Sequence, residues 1–144
     1  MFKNILVTVD LQDAEPIIIE HASELAKKFD SKIWLVHIAA PEPDFVGYGV
    51  GPQYIRDFRA DELKEEHQAL HQMAQALSKK GIETEPLLIA GATIEMLETE
   101  CEKLNIDLIC IGHHKHNWIQ KLLGNHTDFS IIDQVKIPVL TIPV

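Results

Sequence analysis

The chain has 144 residues, of which 46% are hydrophobic and 24% are charged, and its formal net charge is −9 at pH 7. This length predicts one domain with a core of its own. The proportions of hydrophobic and charged residues are those of a globular protein and exclude a disordered chain. The acidic charge and the lack of any run of Lys and Arg argue against nucleic-acid and membrane-surface partners, because both require a basic patch.

Two features of the sequence bear on its compartment. No apolar stretch approaches the roughly 20 residues of a transmembrane helix, and the start MFKNILVTVD lacks the arrangement of a signal peptide. Cys101 lies on the apolar side of a predicted helix and Cys110 inside a predicted strand, without CxxC spacing. We therefore expect a cytoplasmic protein whose two cysteines are core thiols rather than redox groups.

The first third of the chain predicts a βαβ unit. Residues 2–9 (FKNILVTV) form a β-branched apolar run that ends at Asp10, and residues 33–38 (IWLVHI) form a second run without polar alternation. Between them, Asp13 is a candidate cap and Pro16 suits a first helical turn. One apolar helix face is predicted, made of Ile18, Ala22, Leu25, Ala26 and Phe29.

Residues 39–57 are rich in proline and glycine and are predicted to be an irregular loop. Loops of this length in compact domains are often functional. Its aromatic side chains, Phe45, Tyr48 and Tyr54, either pack the loop onto its own domain or cover a neighbouring surface.

A second helix is predicted from about Arg59 to Lys80, ended by Gly81, with the apolar face Leu63, Leu70, Met73, Ala74 and Leu77. His67 falls within that stripe and is expected to be a satisfied, partly buried histidine. Residues 83–90 (ETEPLLIA) predict a third strand, and Pro86 near its start indicates an edge position, because proline cannot donate to a central ladder.

The remaining elements follow the same alternation. Thr93 is a candidate cap for a third helix with the face Ile94, Leu97, Cys101 and Leu104. Residues 107–111 (DLICI) predict a fourth buried strand that stops at Gly112. A last helix is predicted from Thr127 or Asp128 through Ile132, and residues 137–144 (IPVLTIPV) predict the final strand.

This order predicts a single doubly wound α/β domain over residues 1–144, with a five-stranded parallel sheet covered by helices on both faces. In such sheets ligands bind outside the carboxyl ends of the strands, where the strand order reverses. If the first and fourth strands are neighbours, Asp10 and the loop after Gly112 face each other across that crevice.

The loop IGHHKHNWIQKLLGNHTD is the main candidate for a ligand site. It leaves a strand at Gly112 and reaches Gly124 just before a predicted helix, an arrangement that suits an anion at a helix N-terminus. Neither GxxxxGK[ST] nor GxGxxG is present. The residues alone therefore leave two interpretations, an anion or nucleotide site and a purely structural turn.

Taken together, the segments NILVTVDLQDAEP, LVHI, DLICIGHHKHNWIQKLLGNHTD and IPVLTIPV resemble the universal stress protein family over nearly the whole chain. The resemblance implies a five-stranded parallel sheet of the Rossmann-like, adenine nucleotide alpha hydrolase-like type. It also implies homodimers that often pair through the final strand, here residues 137–144. The family contains an ATP-binding class, marked by the loop G-x2-G-x9-G-[ST], and a class that does not bind ATP.

The resemblance also assigns roles to residues. Gly112 and Gly124 match the first and third glycines of the ATP loop, and Asp10 and Ile38 match positions that contact ribose and adenine. Three departures stand beside these matches: Lys115 replaces the second glycine, eight residues rather than nine separate it from Gly124, and Asn125 replaces Ser or Thr. A lysine disfavours a positive φ, yet its ammonium could contact a phosphate.

The resemblance therefore leads us to expect ATP, with Mg, or a related nucleotide such as AMP as the ligand. The candidate binding residues are Thr8, Val9, Asp10, Ile38, Ile111, Gly112, His114, Lys115, Gly124, Asn125, His126 and Thr127. The alternative is a dimeric stress adaptor without nucleotide, which contacts a partner protein through residues 41–52 or through the histidine-rich loop.

The histidines of this loop offer a rival interpretation as a metal site, since imidazole is a good zinc or copper ligand. They are His113, His114, His116 and His126. Adjacent His113 and His114 would point apart in extended backbone, so no metal is predicted. No GxSxG, HExxH or paired-carboxylate pattern is present either, and we expect at most slow ATP hydrolysis.

Overall fold

The computed structural model of the chain describes residues 1–9, 11, 16–39, 53–90, 94–113 and 134–143. The elements are β1 (Asn4–Thr8), α1 (Pro16–Phe29), β2 (Lys32–Ala39), α2 (Gln53–Lys79), β3 (Thr84–Ala90), α3 (Ile94–Lys103), β4 (Leu108–His113) and β5 (Val139–Pro143). Within these ranges, no helix combines the length and apolar character needed to cross a membrane.

The five strands form one parallel sheet in the order β3-β2-β1-β4-β5. The chain builds β1 to β3 outward in one direction and then returns to the other side of β1 for β4 and β5. The predicted doubly wound fold is confirmed, and so is the expectation that the first and fourth strands are neighbours.

The edge position predicted from Pro86 is also confirmed, because β3 is an outer strand of the described sheet. The Ile33 N–H donates to the Glu83 carbonyl at 2.8 Å, so odd-numbered residues of β3 direct their backbone groups towards β2. Pro86, an even-numbered residue, therefore lies at a backbone position that faces away from β2, and its missing N–H costs no hydrogen bond of the β2–β3 ladder.

Side chains from both faces of the sheet are buried. One core cluster packs α1 and α2 on the first face and includes Ile5, Val7, Leu35 and Cys110 of the strands with Ile18, Ala22, Leu70, Ala74 and Leu77 of the helices. The other cluster packs α3 on the second face and includes Leu6, Val36, Ile38, Ile109 and Ile111 with Leu97 and Cys101. This two-sided burial is why the strands read as continuous apolar runs.

All three described helices end in the same way, at a residue with positive φ. These residues are Asp30 (φ 53°), Gly81 (φ 85°) and Asn105 (φ 53°). The next N–H in each case donates to the carbonyl five residues earlier: Ser31 to Ala26 at 2.9 Å, Ile82 to Leu77 at 3.2 Å and Ile106 to Cys101 at 2.9 Å. This Schellman pattern satisfies orphan carbonyls and turns the chain towards the next strand.

Several predicted boundaries differ from those of the structure, two of them where α2 begins and where β4 ends. Helix α2 begins at Gln53 rather than near Arg59, so the predicted loop over 39–57 does not extend over residues 53–57. The prolines and glycines of that segment all precede residue 53, and the Tyr54 to Phe58 spacing is helical. Strand β4 continues to His113 instead of stopping at Gly112, because pairing with β5 extends to His113.

The expectation for His67 is wrong as well. His67 is exposed and stacks on His71 one turn away, with ring centroids 6.4 Å apart. Glu66 occupies the inward position, since it lies four residues before fully buried Leu70 on the same helix face. The candidate caps Asp13 and Thr93, the predicted helix over 127–132 and the aromatic residues Phe45 and Tyr48 lie outside the described residues.

Substitution of Gly81 tests the α2 cap. A Cβ at this glycine would meet nothing within 4 Å, so Gly81→Ala changes only the backbone preference at a φ of 85°. We expect the free energy of unfolding to fall by about 1 kcal/mol, measured by urea denaturation. Lys80→Ala, at an exposed neighbour without positive φ, is the control, and equal midpoints for the two variants would contradict the assignment.

The thiols provide a second test of the core. Burial raises the pKa of Cys110 to about 12. Burial, together with Glu98 and Glu100, raises the pKa of Cys101 to about 11. At pH 8 roughly a thousandth of Cys101 or less is thiolate, so we expect an aromatic disulfide reagent to react slowly with the native protein and rapidly in denaturant. Fast stoichiometric reaction of the native protein would contradict this burial.

Candidate functional site

The carboxyl end of β1 is recessed between its two neighbours. Pairing of β1 with β4 ends at Val7 and Cys110, and pairing of β1 with β2 ends at Thr8 and Val36. However, β2 remains paired with β3 as far as Ala39, and β4 with β5 as far as residue 113. The result is a notch whose floor is residues 8–9 and whose walls are residues 38–39 of β2 and 111–113 of β4.

This notch lies where the strand order reverses, which is the position at which open parallel sheets bind ligands. It brings together five residues of the predicted site, all buried: Thr8, Val9, Ile38, Ile111 and Gly112. The other predicted members lie outside the described residues: Asp10, His114, Lys115, Gly124, Asn125, His126 and Thr127.

Backbone groups and apolar side chains dominate the described part of the notch. The Val9 N–H donates to the Val36 carbonyl at 2.9 Å. The Thr8 hydroxyl, 2% exposed, donates to the Cys110 carbonyl at 3.5 Å, near the limit for such a bond. Ile38 and Ile111 are 4% and 2% exposed. Both side chains belong to the core cluster packed by α3, so the described part of the notch offers a ligand mainly the peptide groups at the strand ends.

His37, which lies beside the notch floor, was not identified in the sequence analysis. The segment LVHI was used there only for the family resemblance, and no role was assigned to its histidine. His37 is 7% exposed, and its Nδ1 lies 3.0 Å from the Val9 carbonyl oxygen. Its Nε2 lies 3.7 Å from the Glu66 Oε2 of α2. A histidine inside an apolar strand and a glutamate at an inward helical position were the available signals, but nothing in the sequence paired them.

Charged side chains interact at the opposite end of the sheet, where the strands begin. The Asp107 carboxylate accepts from the Lys3 and Asn4 backbone N–H groups at 2.8 and 3.1 Å. The Lys32 ammonium binds Glu85 at 2.7 Å and lies 4.0 Å from the Trp34 ring centroid. The hydrogen bond to Glu85 raises the pKa of Lys32 despite some desolvation. These partnered groups stabilise the amino end of the sheet and do not form a candidate site.

A second concavity of about 500 Å³ lies beside β3 and α3. Its lining consists of Leu87, Leu88, Ile89, Glu95, Met96, Thr99 and Glu100. Two carboxylates without a basic residue in this lining disfavour a phosphate.

Over the described ranges no group of three metal-ligating side chains occurs. Three of the four histidines of the rival metal interpretation lie outside those ranges, and the side chain of His113 is not described.

Comparison with known proteins places this geometry in a family context. The family model "Universal stress protein family" matches residues 1–143. The universal stress protein A homolog of Haemophilus influenzae is 28% identical over 145 residues, which cover 99% of this chain and 97% of the relative. Universal stress protein A of Escherichia coli K12 is 27% identical over 143 residues, with coverages of 99% and 94%.

Solved structures share the fold at lower sequence identity. The universal stress protein from Archaeoglobus fulgidus in complex with dAMP has a TM-score of 0.64 and 16% identity, and the match covers 98% of each chain. A universal stress protein in complex with cAMP has a TM-score of 0.67 and 15% identity, with 99% of this chain and 97% of that chain covered.

Proposed function

The chain belongs to the universal stress protein family, and we propose that it is a cytoplasmic, dimeric stress-response protein that binds an adenine nucleotide in the notch. The observation that carries the proposal is the recessed end of β1 at the point where the strand order reverses. Similar folds carry dAMP and cAMP, which supports an adenine nucleotide as the ligand class.

Within this proposal, the ligand is ATP with Mg. One group of residues contacts its nucleoside and another contacts its phosphates. Ile38, on the β2 wall, and Asp10, just beyond the notch floor in sequence, contact the nucleoside. Gly112, Lys115, Gly124, Asn125 and Thr127 surround the phosphates, with His114 and His126 beside them. The match of Gly112 and Gly124 to the glycines of the ATP loop supports this arrangement. The proposal concerns binding, with at most slow hydrolysis.

Thermal unfolding with and without Mg-ATP tests the ligand. A ligand at 100 times its dissociation constant stabilises the native state by about 2.7 kcal/mol, so the melting temperature should rise. Millimolar Mg-ATP without any shift would reject ATP binding and would favour the adaptor alternative. AMP and cAMP in parallel runs distinguish a general adenine nucleotide site from an ATP site.

Gly124→Val should abolish that shift, because a β-branched side chain would obstruct the approach of a phosphate to the backbone. Glu24→Gln, at an exposed position of α1, should leave the shift unchanged. A shift that survives Gly124→Val would mean that the phosphates bind elsewhere.

We further propose that the homodimer forms through the C-terminal strand, residues 137–144. Strand β5 is the other outer strand of the described sheet. The Ile109 N–H donates to the Pro138 carbonyl at 3.0 Å, so even-numbered residues of β5 bond to β4 and odd-numbered ones direct their backbone groups outward. Thr141 is exposed and lies at such an outward position, where its N–H could pair with a second copy of the strand.

Thr141→Pro tests this interface because it removes the outward N–H and leaves the β4 ladder donors in place. We expect the protein to change from dimer to monomer in light scattering at micromolar concentration, with the native circular dichroism spectrum retained. Thr141→Val keeps the N–H and should remain dimeric. A monomeric unmodified chain would refute the dimer, and a dimeric Thr141→Pro variant would refute the proposed interface.

A further inference from the structure

At the notch floor, a side chain takes the place of the hydrogen bond that would continue the ladder between β1 and β2. The Lys32 N–H donates to the Lys3 carbonyl and the Val9 N–H to the Val36 carbonyl, so even-numbered residues of β2 bond to β1. The next ladder donor for the Val9 carbonyl would be the Ile38 N–H. The paired register nevertheless ends at Thr8 and Val36, and the Val9 carbonyl accepts from the His37 Nδ1–H at 3.0 Å.

Glu66 of α2 lies on the other side of this ring. A carbonyl oxygen can only accept, so the hydrogen on Nδ1 is committed to Val9, and Nε2 is left facing the Glu66 carboxylate at 3.7 Å. The Glu66 Oε2 is itself buried and makes no ordinary hydrogen bond within the described part of the chain. A buried carboxylate needs a polar partner, and the His37 Nε2 at 3.7 Å can serve as that partner when a hydrogen lies between the two atoms.

We propose that His37 is a positioning residue of the notch and that Glu66 orients its ring. Because His37 donates to the Val9 carbonyl in place of the Ile38 N–H, that N–H stays available to a ring nitrogen of the ligand. The same hydrogen bond fixes the orientation of the Val9 carbonyl, which precedes Asp10 in the chain. The inference rests on the proposed function for the identity of the ligand. Its backbone geometry can be tested without any ligand.

Two substitutions of His37 separate the roles of its nitrogens. The side-chain amide of His37→Asn can place an N–H near the position of Nδ1, whereas that of His37→Gln reaches towards the position of Nε2. With a fluorescent ATP analogue and Mg, we expect His37→Gln to weaken binding about tenfold, or about 1.4 kcal/mol, and His37→Asn to stay within about threefold of the unmodified protein. His71→Asn, at an exposed histidine of α2, is the matched control.

Melting temperatures without nucleotide separate positioning from folding. Rescue by asparagine at comparable melting temperatures supports positioning, and equal dissociation constants for the glutamine, asparagine and unmodified proteins would overturn it. If His37→Gln does not fold, Glu66→Ala replaces it, because it removes the group that orients the ring. An unchanged dissociation constant for Glu66→Ala would then overturn the inference, and a rise of at least about threefold would support it.

A ligand-free measurement distinguishes failure of this inference from failure of the proposed function. In carbon-detected NMR spectra of the unliganded protein, the Val9 carbonyl and Ile38 amide resonances should move in His37→Gln and return towards their original positions in His37→Asn. If these resonances respond as expected but no nucleotide binds, the proposed function fails and the positioning of Val9 stands. Resonances that are the same in all three proteins would overturn the positioning role.

Discussion

The structure depends on the burial of β1 in the middle of a parallel sheet that is covered on both faces. Ile5, Leu6 and Val7 are completely buried, and the strand is paired on both sides through most of its length. Along this stretch, backbone polar groups pair within the sheet and side chains pack in the core. A ligand can therefore meet β1 only at its end, where both ladders stop and the neighbouring strands continue.

The two ends of the sheet are chemically different. At the amino end, the Asp107 carboxylate accepts from backbone N–H groups and the Lys32 ammonium pairs with Glu85. Each described helix follows a strand and therefore begins at the carboxyl end of the sheet. The N-termini of α1, α2 and α3, with their partial positive charges, thus lie on the same side of the sheet as the notch. These dipoles give an acidic chain, with a net charge of −9, a local preference for an anion.

The sequence was sufficient to predict features that depend on neighbouring residues, and insufficient for features that depend on distant ones. Apolar runs identified every described strand, and Pro86 identified the edge, because burial and missing donors are local properties. The contact between His37 and Glu66 joins residues 29 positions apart through the packing of α2 on the sheet, and a one-residue shift in the helical stripe had assigned the inward position to His67. Within the candidate site, the residues at the strand ends could be predicted from the apolar runs. The residues proposed to contact the phosphates were assigned only from the family pattern.

The proposed site therefore has two halves with different physical bases. On the nucleoside side, ladder bonds and the His37 contact fix the Val9 backbone before a ligand arrives, so little conformational entropy is lost on binding. On the phosphate side, Lys115 replaces a glycine that would admit a phosphate to the backbone. An ammonium on a flexible stem provides charge rather than shape, and its attraction is screened by salt. In this proposal, recognition of the base depends on rigid geometry, whereas phosphate affinity depends both on close approach to the backbone at Gly124 and on the charge of Lys115.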